Sequence, residues 1–205
     1  MTTLSKKIAG AWVALACVFV VPLVLAAFSP LLAWREPIYI AAGFAGIVTL
    51  PILLVQPLLA AGLMPGLGLR AARHAHALVG VGLLLAVIVH IAGLWITSPP
   101  DVVDVLLLRS PTPFAIWGVI AMWAVFASAG LALFRRRLQL RWRSWRVLHS
   151  VLAILIVIGT VIHAVLIEGT MEVMSKWAIC ALVVLAALRV LADPDVLRRL
   201  LKSSK

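Results

Sequence analysis

Six apolar runs, each about 19 to 25 residues long, follow one another along the chain at positions 8–32, 38–61, 76–96, 114–134, 147–167 and 173–191. At about 1.5 Å of rise per residue, each is long enough as a helix to cross a hydrocarbon core of about 30 Å. Lipid offers no hydrogen bonds to the backbone, so such runs must satisfy their own amides and carbonyls by becoming helices. The expected fold is an all-α integral membrane protein, a six-helix transmembrane bundle forming one domain over residues 1–205. Composition points the same way: 64% of the 205 residues are hydrophobic and 12% charged, far more apolar surface than a globule of this size can hide. Two cysteines without CxxC spacing exclude a disulfide scaffold and read as small apolar fillers.

The charges lie between the runs and read first as topology. Fifteen of the 18 basic residues fall on one side: Lys6 and Lys7, Arg70 and Arg73, the cluster Arg135, Arg136, Arg137, Arg141, Arg143 and Arg146, then Arg189, Arg198, Arg199, Lys202 and Lys205. The other side carries Arg35, Arg109 and Lys176 against Glu36, Asp101, Asp104, Glu168 and Glu172. This asymmetry predicts both termini in the cytoplasm and a multi-pass protein of the cell membrane, in a bacterium the inner membrane. The net charge of +11 would suggest nucleic acid in a soluble protein; insertion already accounts for it here, so no nucleic-acid partner is expected. A cleaved signal peptide is disfavoured because the first run continues to Leu32, past the usual apolar length of about 7–15 residues. Seven of the eight tryptophans, at 12, 34, 95, 117, 142, 145 and 177, lie near predicted helix ends, where they read as interfacial anchors.

Four of the five histidines form two pairs with one spacing: His76 and His90 in the third run, His149 and His163 in the fifth. Fourteen helical residues advance to within about 40° of four full turns and rise about 21 Å, so each pair lies on one stripe. The two helices run in the same direction, which sets His76 level with His149 and His90 level with His163. One buried histidine can serve simply by donating to a neighbouring backbone carbonyl, but two pairs at matched depth suggest bis-imidazole haem ligation. Zinc would require three or four clustered ligands, and no Cys, Asp or Glu joins either pair. Arg73 and Arg146 each stand about one turn before a histidine, where they suit haem propionates. Gly80 and Gly159 are candidates for ring contacts, although glycine serves equally in ordinary membrane helix packing. His74 is about 160° away from His90 around the helix and is expected at the inner interface, outside the ligand stripe.

His76-Ala-Leu-Val-Gly80 leading to His90, and Arg143-Ser-Trp-Arg146-Val-Leu-His149 leading to His163, resemble the ferric-reductase-like transmembrane domain. That family includes ferric reductases, the membrane part of NADPH oxidases, and the haem-binding subunit of the periplasmic methionine sulfoxide reductase system. The resemblance covers roughly residues 40–192. It implies that His76, His90, His149 and His163 ligate two haems of b type, and that electrons pass from cytoplasmic reduced flavin, FAD or FMN, to an extracytoplasmic acceptor such as ferric iron. The second pair is spaced by fourteen where many members have thirteen, and no Gly-x-Gly-x-x-Gly fingerprint is present. The resemblance therefore implies a separate cytoplasmic flavoprotein reductase as partner, docked on the positive inner face. Two other functions are open at this stage. One is a haem subunit serving a periplasmic redox partner such as a methionine sulfoxide reductase; the other is a non-haem transporter or scaffold whose histidines pack or relay protons.

Overall fold

The computed structural model describes residues 3–193. Within them lie eight helices and a short 3-10 turn: α1 (Thr3–Ala27), the turn Pro30–Leu32, α2 (Pro37–Ala61), α3 (Leu69–Thr97), α4 (Pro99–Leu106), α5 (Ala115–Leu133), α6 (Arg135–Leu138), α7 (Trp142–Leu166) and α8 (Val173–Leu191). Six of them, α1, α2, α3, α5, α7 and α8, are long and apolar enough to cross a membrane, so the chain is an all-α six-helix membrane bundle. The basic residues Arg198, Arg199, Lys202 and Lys205 of the topology argument lie outside the described residues.

Helix boundaries differ from the apolar runs wherever polarity and helicity part company. The first run reaches Leu32, but its helix stops at Ala27; Ser29 and Pro30 then open the 3-10 turn, with the Ser29 hydroxyl accepting from the Leu31 amide. α3 begins seven residues before His76 and α7 five before Val147, because Arg and Trp end an apolar run without ending a helix. α2 closes at Gly62, whose φ of 74° is left-handed. A side chain there would also meet Leu69 Cδ1 at 2.8 Å, so the turn into α3 requires glycine twice over. Pro51 and Pro57 sit inside α2, tolerated where neighbouring helices surround the backbone.

α2 and α3 pack as one antiparallel hairpin and α5 and α7 as another; α8 lies against α2 and α7, and α1 against α2 and α8. Close approach within each hairpin occurs at a glycine. A Cβ on Gly93 of α3 would lie 2.7 Å from Ala42 Cβ on α2, and one on Gly159 of α7 would lie 2.9 Å from the Trp117 carbonyl on α5. Leu53, Leu54, Leu83, Val125, Ile156 and Val183 fill the centre between the hairpins and α8. α1 is more peripheral, tied to the α2–α3 connection by Trp12 Nε1 donating to the Pro65 carbonyl at 3.2 Å.

Candidate functional site

α3 and α7, which carry the four histidines, pack chiefly against α2 and α5 respectively rather than against each other. Leu83 of α3 and Ile156 of α7 share the central apolar cluster, and the histidines stand on either side of that level. His76 and His149 meet with ring centroids 6.2 Å apart and planes 79° apart. His90 and His163 line one cavity of about 420 Å³ between the hairpins. The level pairing expected from equal spacing is thus seen directly for His76 with His149, and as a shared cavity for the other two.

Each histidine is fixed through Nδ1 by the other helix of its own hairpin. His76 is 3.1 Å from the Gln56 carbonyl and His90 is 2.7 Å from the Ala42 carbonyl, both on α2. His163 is 3.0 Å from the Phe114 carbonyl and His149 is 3.1 Å from the Ser128 hydroxyl, at the start and inside of α5. A carbonyl only accepts, so three of the rings carry their proton on Nδ1 and turn the Nε2 lone pair away from the hairpin. Ser128 can donate or accept, which leaves His149 the one ring whose tautomer is not dictated by backbone.

The anchors disclose a repeat that the sequence reading missed. Ala42 and Phe114, Gly46 and Gly118, and Gln56 and Ser128 are each 72 residues apart, while His76 and His149, and His90 and His163, are 73 apart. The added residue lies in the connection, 62–68 in the first hairpin and 134–141 in the second. Gly46 and Gly118 stand one helical turn past the outer anchors and clear the histidine rings: a Cβ would lie 3.0 Å from His90 Nδ1 at Gly46 and 2.7 Å from His163 Nδ1 at Gly118. The glycines singled out in sequence sit elsewhere. Gly80 faces the Gln56 side chain, at 3.3 Å from a built Cβ, and Gly159 serves the α5–α7 crossing.

The end of the bundle at the start of α7 carries an aromatic column. Trp145 stacks on His149 with centroids 5.1 Å apart and planes 6° apart, and Trp142 stacks on Trp145 at 5.3 Å and 12°. Arg135 caps both indoles, 4.1 Å above Trp142 and 4.8 Å above Trp145. The Trp145 indole N–H donates to the Leu131 carbonyl at 3.3 Å. Trp145 is therefore a support for a histidine as well as an interfacial residue, and only its i, i+4 distance to His149 could have signalled it. His74 and Arg73 are exposed.

Several features test the fit of a haem. Two imidazole nitrogens each about 2 Å from one metal, with ring centres about 1 Å further out, would stand about 6 Å apart, as His76 and His149 do. Two buried polar atoms near that pair have no hydrogen-bond partner among the described residues: Gln56 Oε1, on the residue that anchors His76, and Arg146 Nε, one turn before His149. A basic nitrogen there suits a propionate. Among the described residues no group of three or more His, Cys, Asp or Glu could hold a bare metal ion, and a pair of imidazoles is the ligand set a haem iron takes from protein. The residues fit the group.

A family profile described as ferric reductase like transmembrane component matches residues 42–160, more than half of the chain. No curated protein and no solved structure matches it.

Proposed function

The chain belongs to the family of ferric reductase like transmembrane components, and on that premise we propose that it carries electrons across the membrane on two b-type haems, from a cytoplasmic reduced flavin to an extracytoplasmic acceptor such as ferric iron. His76 and His149 hold the inner haem, His90 and His163 the outer one. Held by two imidazoles, each haem would supply a one-electron carrier.

The observation that carries this reading is the 6.2 Å approach of His76 and His149 on helices that belong to different hairpins. The chain's own groups prepare the sites before any cofactor arrives. Ala42, Gln56 and Phe114 hold imidazole protons on Nδ1, which orients Nε2 away from the hairpin and raises its basicity as a ligand. Arg146, and Arg73 at the same height, provide cations for the inner propionates. The Arg135–Arg146 cluster and Arg70 form a positive cytoplasmic face for a separate flavoprotein reductase carrying FAD or FMN. The protein would reside in a bacterial inner membrane.

The test is spectroscopic. Protein purified in detergent is expected to show a Soret band and two b-type haems per chain by pyridine haemochrome, both reduced by a flavin reductase supplied with NADH and FMN. A preparation expressed with ample haem that shows no Soret absorbance would refute the reading and favour a non-haem transporter or scaffold.

A further inference from the structure

Lys176 lies in the first turn of α8 and is only 6% exposed. Lysines near the end of a membrane helix ordinarily extend their stems toward water. This one turns inward, lining the cavity it shares with His90 and His163, one turn before the buried residues Ile179 and Cys180. Its Nζ donates to the Ile167 carbonyl at 2.7 Å, one acceptor for a group with three N–H donors. Among the described residues no carboxylate pairs with it. Glu172, one turn earlier, spends its two oxygens on the amides of Met174 and Ser175. Asp101 accepts from Ser98, and Glu168, at the cavity mouth, is exposed and forms no ion pair.

A charge at this depth is costly unless a counter-charge offsets it. We propose that Lys176 binds a carboxylate carried by the occupant of the outer cavity. Leu50, Leu53, Leu83 and Ile156 dominate its deeper walls; an inorganic anion would leave them uncovered, whereas an organic molecule with an apolar body and a peripheral carboxylate covers both. Two sources supply that chemistry: a propionate of the outer haem, or a hydroxycarboxylate that presents ferric iron as the acceptor. The inference rests on the haem reading of the cavity.

The test uses the haem-loaded protein. Lys176→Met keeps the length and apolar volume and removes the charge; Lys176→Arg restores a cation. If the carboxylate is a propionate, Lys176→Met lowers the midpoint potential of the outer haem and weakens its retention about tenfold or more, Lys176→Arg reverses both, and the inner haem is unmoved. If it belongs to the acceptor, both potentials stay as in the wild type, while calorimetric titration with ferric citrate gives binding that Lys176→Met weakens about tenfold or more. Unchanged potentials and retention, together with indifference to citrate, would overturn the inference. Should Lys176→Met fail to accumulate, wild-type protein reconstituted with haem dimethyl ester reads the same contact; equal retention of ester and free acid at the outer level, with no citrate binding, overturns it too. A wild type without haem defeats the functional reading, whereas a two-haem wild type with an indifferent Lys176→Met defeats only this inference.

Discussion

Replacing Gly118 with alanine drives a methyl group into the ring of His163. A Cβ built there lies 2.7 Å from Nδ1 and 2.8 Å from Cε1, against an optimal separation of about 3.5–4.0 Å between carbon atoms. The ring has little room to yield, because the Phe114 carbonyl holds its Nδ1 at 3.0 Å and also accepts from the Gly118 amide. Overpacking of this kind costs about 1–3 kcal/mol, and loss of the Nδ1 hydrogen bond adds about 1 kcal/mol. The combined ~2–4 kcal/mol corresponds to roughly 30- to 1000-fold weaker retention of the outer haem. Gly46→Ala meets His90 less severely, at 3.0 Å, and Gly130→Ala, on the same helix as Gly118, meets nothing within 4 Å. Haem content by pyridine haemochrome and a potentiometric titration should therefore rank the three: Gly130→Ala like the wild type, Gly46→Ala intermediate, and Gly118→Ala left with the inner haem alone. A Gly118→Ala protein with two haems and an unshifted outer potential would refute the assignment of His163 as a ligand held by this geometry.

Alanine at His76 or His149 should remove the same haem, and alanine at His90 or His163 the other, as judged by the residual potential; His74→Ala should keep both. Trp145→Leu should change the low-spin electron paramagnetic resonance signal of the inner haem by freeing the plane of His149, while Trp145→Phe, which keeps a stacked ring, should change it less. The Glu172 carboxyl is held below its ordinary range by hydrogen bonds from the Ser175 and Met174 amides. Its contribution to stability is thus present above the unfolded-state value and lost as pH falls through the lower folded one; thermal melts in detergent should separate wild type from Glu172→Ala at neutral pH and converge in acid. Reporters inserted at 136–144 should be cytoplasmic and those at 100–110 extracytoplasmic, by a protease-accessibility assay.

The six spans and the levels of the paired histidines were legible because each depends on spacing along one segment: length against bilayer thickness, and fourteen residues against the helical turn. What holds those histidines was not, because the partners are 20, 48, 21 and 49 residues away and include backbone carbonyls, which carry no sequence signature. Gly46 and Gly118 look like any glycine in a membrane helix until the opposing ring is in place. Lys176 read as a surface charge counted for topology, since inward and outward lysines have the same sequence neighbours. The 72-residue repeat went unseen for a related reason: the residues it equates, Ala42 with Phe114 and Gln56 with Ser128, differ in type and share only a hydrogen-bonding oxygen, of backbone or side chain, at one height. α4 escaped because two prolines and an aspartate mark a loop and a helix start equally well.

The duplicated hairpins have a consequence for assembly. Each half-molecule positions its histidines using only its own hydrogen bonds, yet on the haem reading neither would own a complete ligand set, since each level would take one imidazole from each. In a bilayer, apolar faces gain little by meeting one another. A haem at either level would act as a rivet through both halves, so that the free energy of binding it is also free energy of joining them. α8 and the central apolar cluster already join the halves, so a haem would tighten a seam the chain itself draws together, and the two rivets would be mutually reinforcing, the first sparing the second part of the cost of aligning the halves.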